Sequence, residues 1–390
     1  MRSLLVLLLC GAMAGCFGRL SDSEFRLDGP DVENTDFANA LYQTTGARMV
    51  PGNLVVPVDN GRVFDAAIDA IHEAKESVHI LTFIWSDGRV SNRFIDAIAA
   101  RIRAGVRCRV IVDALGSPDF GNIQRRLELL GCEAYRFRLI PGQDDVSRVH
   151  RKIIIVDGRV GFTGGFGIDD RWDGDGLHDD PPQWRDSNVM VRGPVVNQMQ
   201  QAFSEEWQEV TGSLLPVSSF PQIDPHGPTT AAFVTSVQNS VVTKNERLTQ
   251  LFIASAKRRI WIANAYFLPS QPIVDLLARK AHSGVDVRVL AAGERTDTRL
   301  YLPEQRARMA ELAAAGVRAF EYTPTMMHAK TMILDDRYFA VGSCNLDPLS
   351  LMRMDEGALV VDDAKLAADE TARLAVDFQH STSRLVAQRH

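Results

Sequence analysis

The stretch His150-Arg151-Lys152-Ile153-Ile154-Ile155-Val156-Asp157-Gly158 recurs in register as His328-Ala329-Lys330-Thr331-Met332-Ile333-Leu334-Asp335. A chain that repeats such a pattern in its second half is constrained to fold as two similar units. Each copy reads as the first strand of a buried hairpin, because an apolar run stops at an aspartate turn and a second apolar run follows. Alternate side chains of a strand share a face, so His150 and Lys152 project together while Arg151 projects the other way. The first copy runs on to Gly164-Gly165, the second to Gly342-Ser343-Cys344-Asn345.

The flanks repeat as well. Gly105 to Val110 returns as Gly284 to Val289, and Gly131-Cys132 returns as Gly316-Val317, both at nearly the same offset as the motifs themselves. Helical periods over Val63 to Lys75, Asn92 to Ala104 and Ile123 to Leu130 alternate with strand patterns over Val78 to Trp85, Val106 to Val112 and Ala134 to Phe137. That alternation predicts a mostly parallel sheet with helices on both faces. The expected divisions are a processing segment over 1–15, a tether and irregular arm over 16–50, and a first unit over 51–211. A linker over 212–230, carrying Pro216, Pro221, Pro225 and Pro228, leads to a second unit over 231–390. Its closing stretch from Ala364 to about Leu385 is helical in period and is expected to pack back on the second unit.

The 390 residues are 45% hydrophobic and 24% charged, as in a globular protein, and the net charge of −6 makes nucleic acid an unfavoured partner. At the start, Arg2 precedes the apolar run Leu4 to Leu9, and Met13-Ala14-Gly15-Cys16 resembles a bacterial lipoprotein box with Met13 in place of the usual leucine. The resemblance implies cleavage, diacylation of Cys16 and a tethered, exported body; an uncleaved signal anchor is the competing reading. Cys108, Cys132 and Cys344 suggest neither a disulfide framework nor a metal site. Cys108 reads as a small core residue, a bridge to Cys132 being open only in an oxidising compartment. The acidic run Asp169, Asp170, Asp173, Asp175, Asp179 and Asp180 fits no calcium loop and reads as a solvated cleft edge; no metal and no cofactor is expected.

The two H-x-K-x4-D motifs, each followed by Gly-Gly or Gly-Ser, resemble the phospholipase D superfamily over about residues 55 to 390. The phrases Gly164 to Asp170, Trp184-Arg185-Asp186 and Asn345-Leu346-Asp347-Pro348 with Ser350 are most similar to bacterial cardiolipin synthases. The resemblance implies an α/β fold of two duplicated αβα sandwich domains related by a pseudo-twofold axis, which brings one motif from each domain to a shared cleft. Phosphodiester cleavage needs an in-line nucleophile on one side of phosphorus and a proton for the departing alkoxide on the other, and one histidine cannot occupy both places. The candidate catalytic set is therefore His150, Lys152, Asp157, His328, Lys330 and Asp335.

By the same resemblance His150 is the nucleophile that forms a phosphohistidine and His328 the general acid, an assignment that the near symmetry leaves reversible. Lys152 and Lys330 hold the phosphoryl oxygens, with Ser343 and Asn345 donating hydrogen bonds. Gly165 belongs to the supporting set, and Gly167, at the place matching Asn345, leaves the first half one donor short. Asp157 and Asp335 sit at turns and read mainly as hairpin supports. A carboxylate about thirty residues downstream is expected to hold each imidazole: Asp186 for His150, and Glu356, or in competition Asp355, for His328.

Trp85 and Phe162 read as core; Trp172 and Trp184 either as core or as an acyl-chain groove. The implied function is phosphatidyl transfer between phosphatidylglycerol-like lipids on the periplasmic face of a membrane. The alternatives are a phospholipase D-type hydrolase or nuclease, and an inactive lipoprotein that binds anionic headgroups.

Overall fold

The computed structural model describes residues 25–27, 36–138, 148–239 and 241–383; the candidate anchor Cys16 and the processing segment lie outside them. The strands are β1 (Val50–Pro57), β2 (Ser77–Thr82), β3 (Arg107–Asp113), β4 (Glu133–Phe137), β5 (Arg148–Val149), β6 (Ile153–Val156), β7 (Val160–Gly164) and β8 (Asn188–Arg192). They continue as β9 (Thr229–Ser236), β10 (Arg259–Asn264), β11 (Asp286–Ala292), β12 (Arg318–Tyr322), β13 (Lys330–Leu334), β14 (Tyr338–Gly342), β15 (Met354–Asp362) and β16 (Ser381–Ser383). The spatial order is β16-β12-β11-β10-β13-β14-β15-β9-β1-β8-β7-β6-β2-β3-β4. Apart from β16 the order is the same from either end, with β9 and β1 at the centre, as the pseudo-twofold duplication requires.

The helices are α1 (Phe37–Thr45), α2 (Arg62–Glu73), α3 (Arg89–Ile102), α4 (Phe120–Leu130), α5 (Val196–Thr211), α6 (Lys244–Ser255), α7 (Gln271–His282), α8 (Leu302–Ala314), α9 (Pro348–Met352) and α10 (Ala364–Gln379). Their apolar stripes explain their placement. In α2, Val63, Phe64, Ala67, Ile68 and Ile71 lie on one face and are all buried. All six residues of β2 are buried, as expected of a parallel strand covered on both sides. The larger core takes side chains from both halves, among them Ile154 and Phe162 with Phe339 and Val361. Among the described residues no helix is long and apolar enough to cross a membrane.

Two expectations fail. The arm is not irregular throughout: Asp36 caps α1, and Phe37 packs on Phe252 and Tyr338 at centroid distances of 5.5 and 4.2 Å. β1 follows the arm and pairs with both β8 and β9, which joins the halves. Cys108 and Cys132 form a disulfide. The reason is register: Arg109 on β3 faces Glu133 on β4, so the preceding residues, Cys108 and Cys132, face each other too.

Candidate active site

The β6–β7 and β13–β14 hairpins form as the patterns imply, but each histidine lies just ahead of its strand rather than within it. Short pairings between the halves hold these lead-in segments. β5 runs parallel to the start of β15, with Arg148 opposite Met354 and Val149 opposite Asp355, and the Asp355 carbonyl accepts the His150 amide at 2.8 Å. In the mirror place Arg185 bridges Met327, and the Arg185 carbonyl accepts the His328 amide at 2.7 Å.

These pairings overturn the expected carboxylate partners. Glu356 follows Asp355 and is delivered to His150, whose Nδ1 lies 2.9 and 3.1 Å from its two oxygens. Asp186 follows Arg185 and is delivered to His328, whose Nδ1 lies 2.8 Å from Oδ2. Each half therefore supplies the carboxylate for the other half's imidazole, because the strand pairing that places it runs between halves. Asp355 serves His150 through its backbone, and its carboxylate lies 3.5 Å from Arg138.

Both imidazoles, with Lys152, line one cavity of about 200 Å³. Burial pushes His150 down to about 4, Glu356 working in the opposite direction. Glu356 stays below the usual carboxylate range despite its own burial, because His150 and Lys152 stand beside it. The pair is thus a neutral imidazole donating Nδ1–H to an ionised carboxylate, which leaves the lone pair on Nε2. His328 lies well below its ordinary value through burial and through the cations Lys330 and Lys152. Its partner Asp186 is raised to about 6 by burial. The two pairs are alike in geometry and unlike in electrostatics.

The lysines are buried and folded back, Lys152 Nζ donating to the His150 carbonyl at 2.6 Å and Lys330 Nζ to that of His328. Burial lowers Lys152 to about 7 and Lys330 to about 8. Arg151 projects the other way, as the strand period implies, and meets Glu205 and Glu206 on α5, each at 2.9 Å. Asp157 and Asp335 lie outside the cavity at the far ends of β6 and β13. Each accepts three backbone N–H groups ahead of the neighbouring strand, Asp157 from residues 75–77 and Asp335 from residues 257–259.

Ser343 departs from its expected role: fully buried, it donates its hydroxyl to Glu356 instead of facing the cavity. Its counterpart Gly165 has no room for a hydroxyl, since a Cβ there would stand 2.3 Å from an Asp186 oxygen. Asp186 is held instead by the Trp172 indole at 2.8 Å and the Ser187 amide at 2.9 Å. Gly167 is small for a similar reason, since a Cβ would meet the Trp172 ring at 3.0 Å. Asn345 does line the cavity.

Trp172 and Trp184 wall the His328 ring at centroid distances of 5.0 and 5.2 Å, and Phe83 meets the His150 ring at 4.9 Å. Sequence reading missed Phe83, Tyr266, Asp297 and Asp347 in the lining. Tyr266 and Asp297 follow β10 and β11, and the ends of parallel strands are where a sheet of this kind places its site, so position was the available signal.

The acidic run is consumed by pairing: Asp170 accepts the first amides of α3, Asp173 meets Arg89, and Asp179 meets Arg295. Among the described residues no group of three or more His, Cys, Asp or Glu side chains is placed to hold a metal ion. The arrangement can therefore present a nucleophilic imidazole nitrogen and a second imidazole to one phosphorus atom, with ammonium groups beside the added charge.

The model of a family described as "Cardiolipin synthase, PLD-like domain" matches residues 67–207 and 250–380. Cardiolipin synthase A of Pseudomonas putida (strain W619) is 31% identical over 333 residues, which cover 83% of this chain and 68% of that protein. Cardiolipin synthase 1 of Bacillus anthracis is 31% identical over 338 residues, covering 82% and 65%. Among solved structures, phosphatidylserine synthase of Haemophilus influenzae Rd KW20 superposes with a TM-score of 0.71 at 12% identity, over 90% of this chain and 92% of that one. Polyphosphate kinase of Porphyromonas gingivalis gives 0.58 at 11% identity, over 93% and 52%; at these identities the likeness is one of fold.

Proposed function

Because this chain belongs to the cardiolipin synthase family of phospholipase D-like proteins, we propose that it transfers a phosphatidyl group between phosphatidylglycerol-like lipids through a phosphohistidine on His150. It is a phosphatidyltransferase of the phospholipase D superfamily. The observation that carries the finer reading is the pair of buried imidazoles lining one cavity, each with Nδ1 bound to a carboxylate and Nε2 left for chemistry.

His150 is assigned as the nucleophile because Glu356 is held below the usual carboxylate range while Asp186 is raised to about 6, so the carboxylate beside His150 keeps its charge over the wider range of pH. Its Nε2 attacks phosphorus, the P–O bond to the headgroup alcohol breaks, and the departing oxygen takes a proton from His328. His328 then removes the proton of an acceptor hydroxyl, which attacks phosphorus and releases His150. In the resting site burial, with the cations Lys330 and Lys152, holds His328 neutral; the anionic phosphodiester offsets those cations, and the ring takes up from solvent the proton that it then gives to the departing oxygen. Lys152, which lines the cavity, meets the phosphoryl oxygens, and Lys330 adds its charge from behind the His328 carbonyl.

The same reading places the body outside the cytoplasm on a lipid-modified Cys16. The Cys108–Cys132 disulfide supports that compartment, since such bonds persist where the surroundings oxidise.

Incubation of the purified chain with phosphatidylglycerol, and separately with single-stranded DNA, followed by mass spectrometry, tests the reading. Cardiolipin with released glycerol is expected; phosphatidic acid alone would make it a hydrolase, DNA cleavage alone a nuclease, and no turnover a binding protein. Palmitate labelling of the wild type and of Cys16→Ala tests the anchor.

A further inference from the structure

We propose that Asp297, held by Tyr266 and Thr298, is the specificity-determining residue for the headgroup alcohol, and that it selects a neutral polyol such as glycerol. This rests on the phosphodiester reading above and adds to it the residue that reads the alcohol.

The cavity is smaller than the pockets that enclose drug-sized ligands, so at about 200 Å³ it suits a phosphate and a short headgroup rather than acyl chains. Its second-half wall carries Tyr266, Asp297, Thr298, Asn345 and Ser350. The Tyr266 hydroxyl donates to Asp297 Oδ1 at 2.7 Å, and the Thr298 hydroxyl reaches the same oxygen at 3.3 Å. Both supports fall on Oδ1, and Asp297 is exposed at the cavity rim, so Oδ2 is open to a donor on the ligand. The Tyr266 ring also stands edge-on to His328, with centroids 6.5 Å apart. The carboxylate is thereby tied to the side of the cavity where the alcohol oxygen must meet its proton donor.

Asn345 belongs to the same wall. Asn345 is 3% exposed, and among the described residues its Oδ1 has no hydrogen-bond partner, while its Nδ2 lies 3.4 Å from Ser350 Oγ. The Asp297 carboxylate on that wall matches an O–H group that a polyol carries beyond its ester oxygen.

An ammonium headgroup matches less well. The faces of Trp184 and Trp172 that would recognise it already carry Arg171, at 4.7 and 5.4 Å from their centroids. That guanidinium and the Lys152 ammonium would repel a further cation.

The test uses the full chain and three diesters in mixed vesicles: phosphatidylglycerol, phosphatidylethanolamine and phosphatidyl-p-nitrophenol, whose leaving group has no further hydroxyl. Asp297→Asn is expected to lower kcat/KM for phosphatidylglycerol, relative to the p-nitrophenyl diester, by about tenfold or more, the scale of one hydrogen bond to a charged group. Thr298→Val, which removes the longer support alone, should shift the ratio the same way by less, and it serves if the first variant does not fold. Equal losses on both diesters, or an unchanged ratio in both variants, overturn the proposal. A loss confined to phosphatidylethanolamine also overturns it, because the carboxylate would then be reading a cation. A wild type that cleaves none of the three sinks the phosphodiester reading, and the proposal with it.

Discussion

Replacing Glu356 by Gln separates the crossed arrangement of carboxylates from an uncrossed one. The side chain is wholly buried, its oxygens lie 2.9 and 3.1 Å from His150 Nδ1, and Ser343 donates to Oε2. In the variant the Ser343 hydroxyl draws the amide oxygen to its own side, which turns the amide NH2 toward Nδ1. The imidazole must then accept there and carry its proton on Nε2, the nitrogen that attacks phosphorus. Loss of one charge-assisted hydrogen bond is worth about 1.5–3 kcal/mol, or roughly 10- to 150-fold in rate, and a wrong tautomer raises the loss toward about 10⁴-fold. Formation of the covalent phosphoryl adduct, measured by rapid quench, should fall within that span.

Asp186→Asn is the control. It weakens His328, whose work in the first step is to protonate the departing oxygen, so a diester of p-nitrophenol, which departs as the anion, should bypass most of the defect. Glu356→Gln should be slow on both substrates. With Glu356 placed on His150 and Asp186 on His328, the opposite pattern, in which the p-nitrophenyl diester rescues Glu356→Gln and not Asp186→Asn, would refute the assignment of His150 as nucleophile.

Four further outcomes are expected. Lys152 and Lys330, lowered by burial to about 7 and about 8, act as cations, so kcat/KM should decline as pH rises through that window; Lys152→Arg, which cannot deprotonate there, should move the decline upward in a pH–rate profile. Binding of a phosphate analogue such as vanadate should be accompanied by net proton uptake, as His328 gains the neighbour that stabilises its cation, and calorimetry in buffers of different ionisation enthalpy would read zero if it does not. Arg185→Met leaves Asp377 buried without its partner at 2.9 Å and should cost about 3–5 kcal/mol in urea unfolding; adding Asp377→Leu should restore most of it. Cys108→Ala with Cys132→Ala opens a loop of 24-residue separation and should lower stability by about 3 kcal/mol, with added reductant then changing nothing.

What could be read from residues alone was whatever depends on local pattern. The hairpins, the alternation of helix and strand and the meeting of two histidines follow from apolar periods and from their repetition. The pairing of imidazoles with carboxylates depends on β5 beside β15 and on Arg185 beside Met327, contacts between segments that lie in opposite halves of the chain, and no local period encodes them. The disulfide was within reach. The repeat sets Cys108 and Cys132 against Val287 and Val317, two buried positions at the same places on neighbouring parallel strands, and residues so placed face each other. Ser343 was misassigned because a hydroxyl two residues from a cavity-lining Asn345 says nothing about which way it turns; only the presence of Glu356 decides that.

The crossing also bears on why the chain needs both halves in one fold. Within either half alone, a histidine motif would lack its carboxylate, and Asp186 or Glu356 would be buried without the imidazole that satisfies it. Leaving a buried carboxylate without its hydrogen-bond donor costs about 1–3 kcal/mol or more, a sizeable share of the roughly 5–15 kcal/mol that stabilises an ordinary domain. The seam is reinforced by Arg185 with Asp377 on α10 at 2.9 Å and by Asp59 with Arg373 at 3.3 Å, both joining the first half to the last helix. The contacts that position Nδ1 of each imidazole are thus among those that hold the halves together, beside the β1–β9 pairing. A substitution that loosens the seam should lower adduct formation before it unfolds the protein, and loss of activity and loss of the interface should follow one another in denaturant.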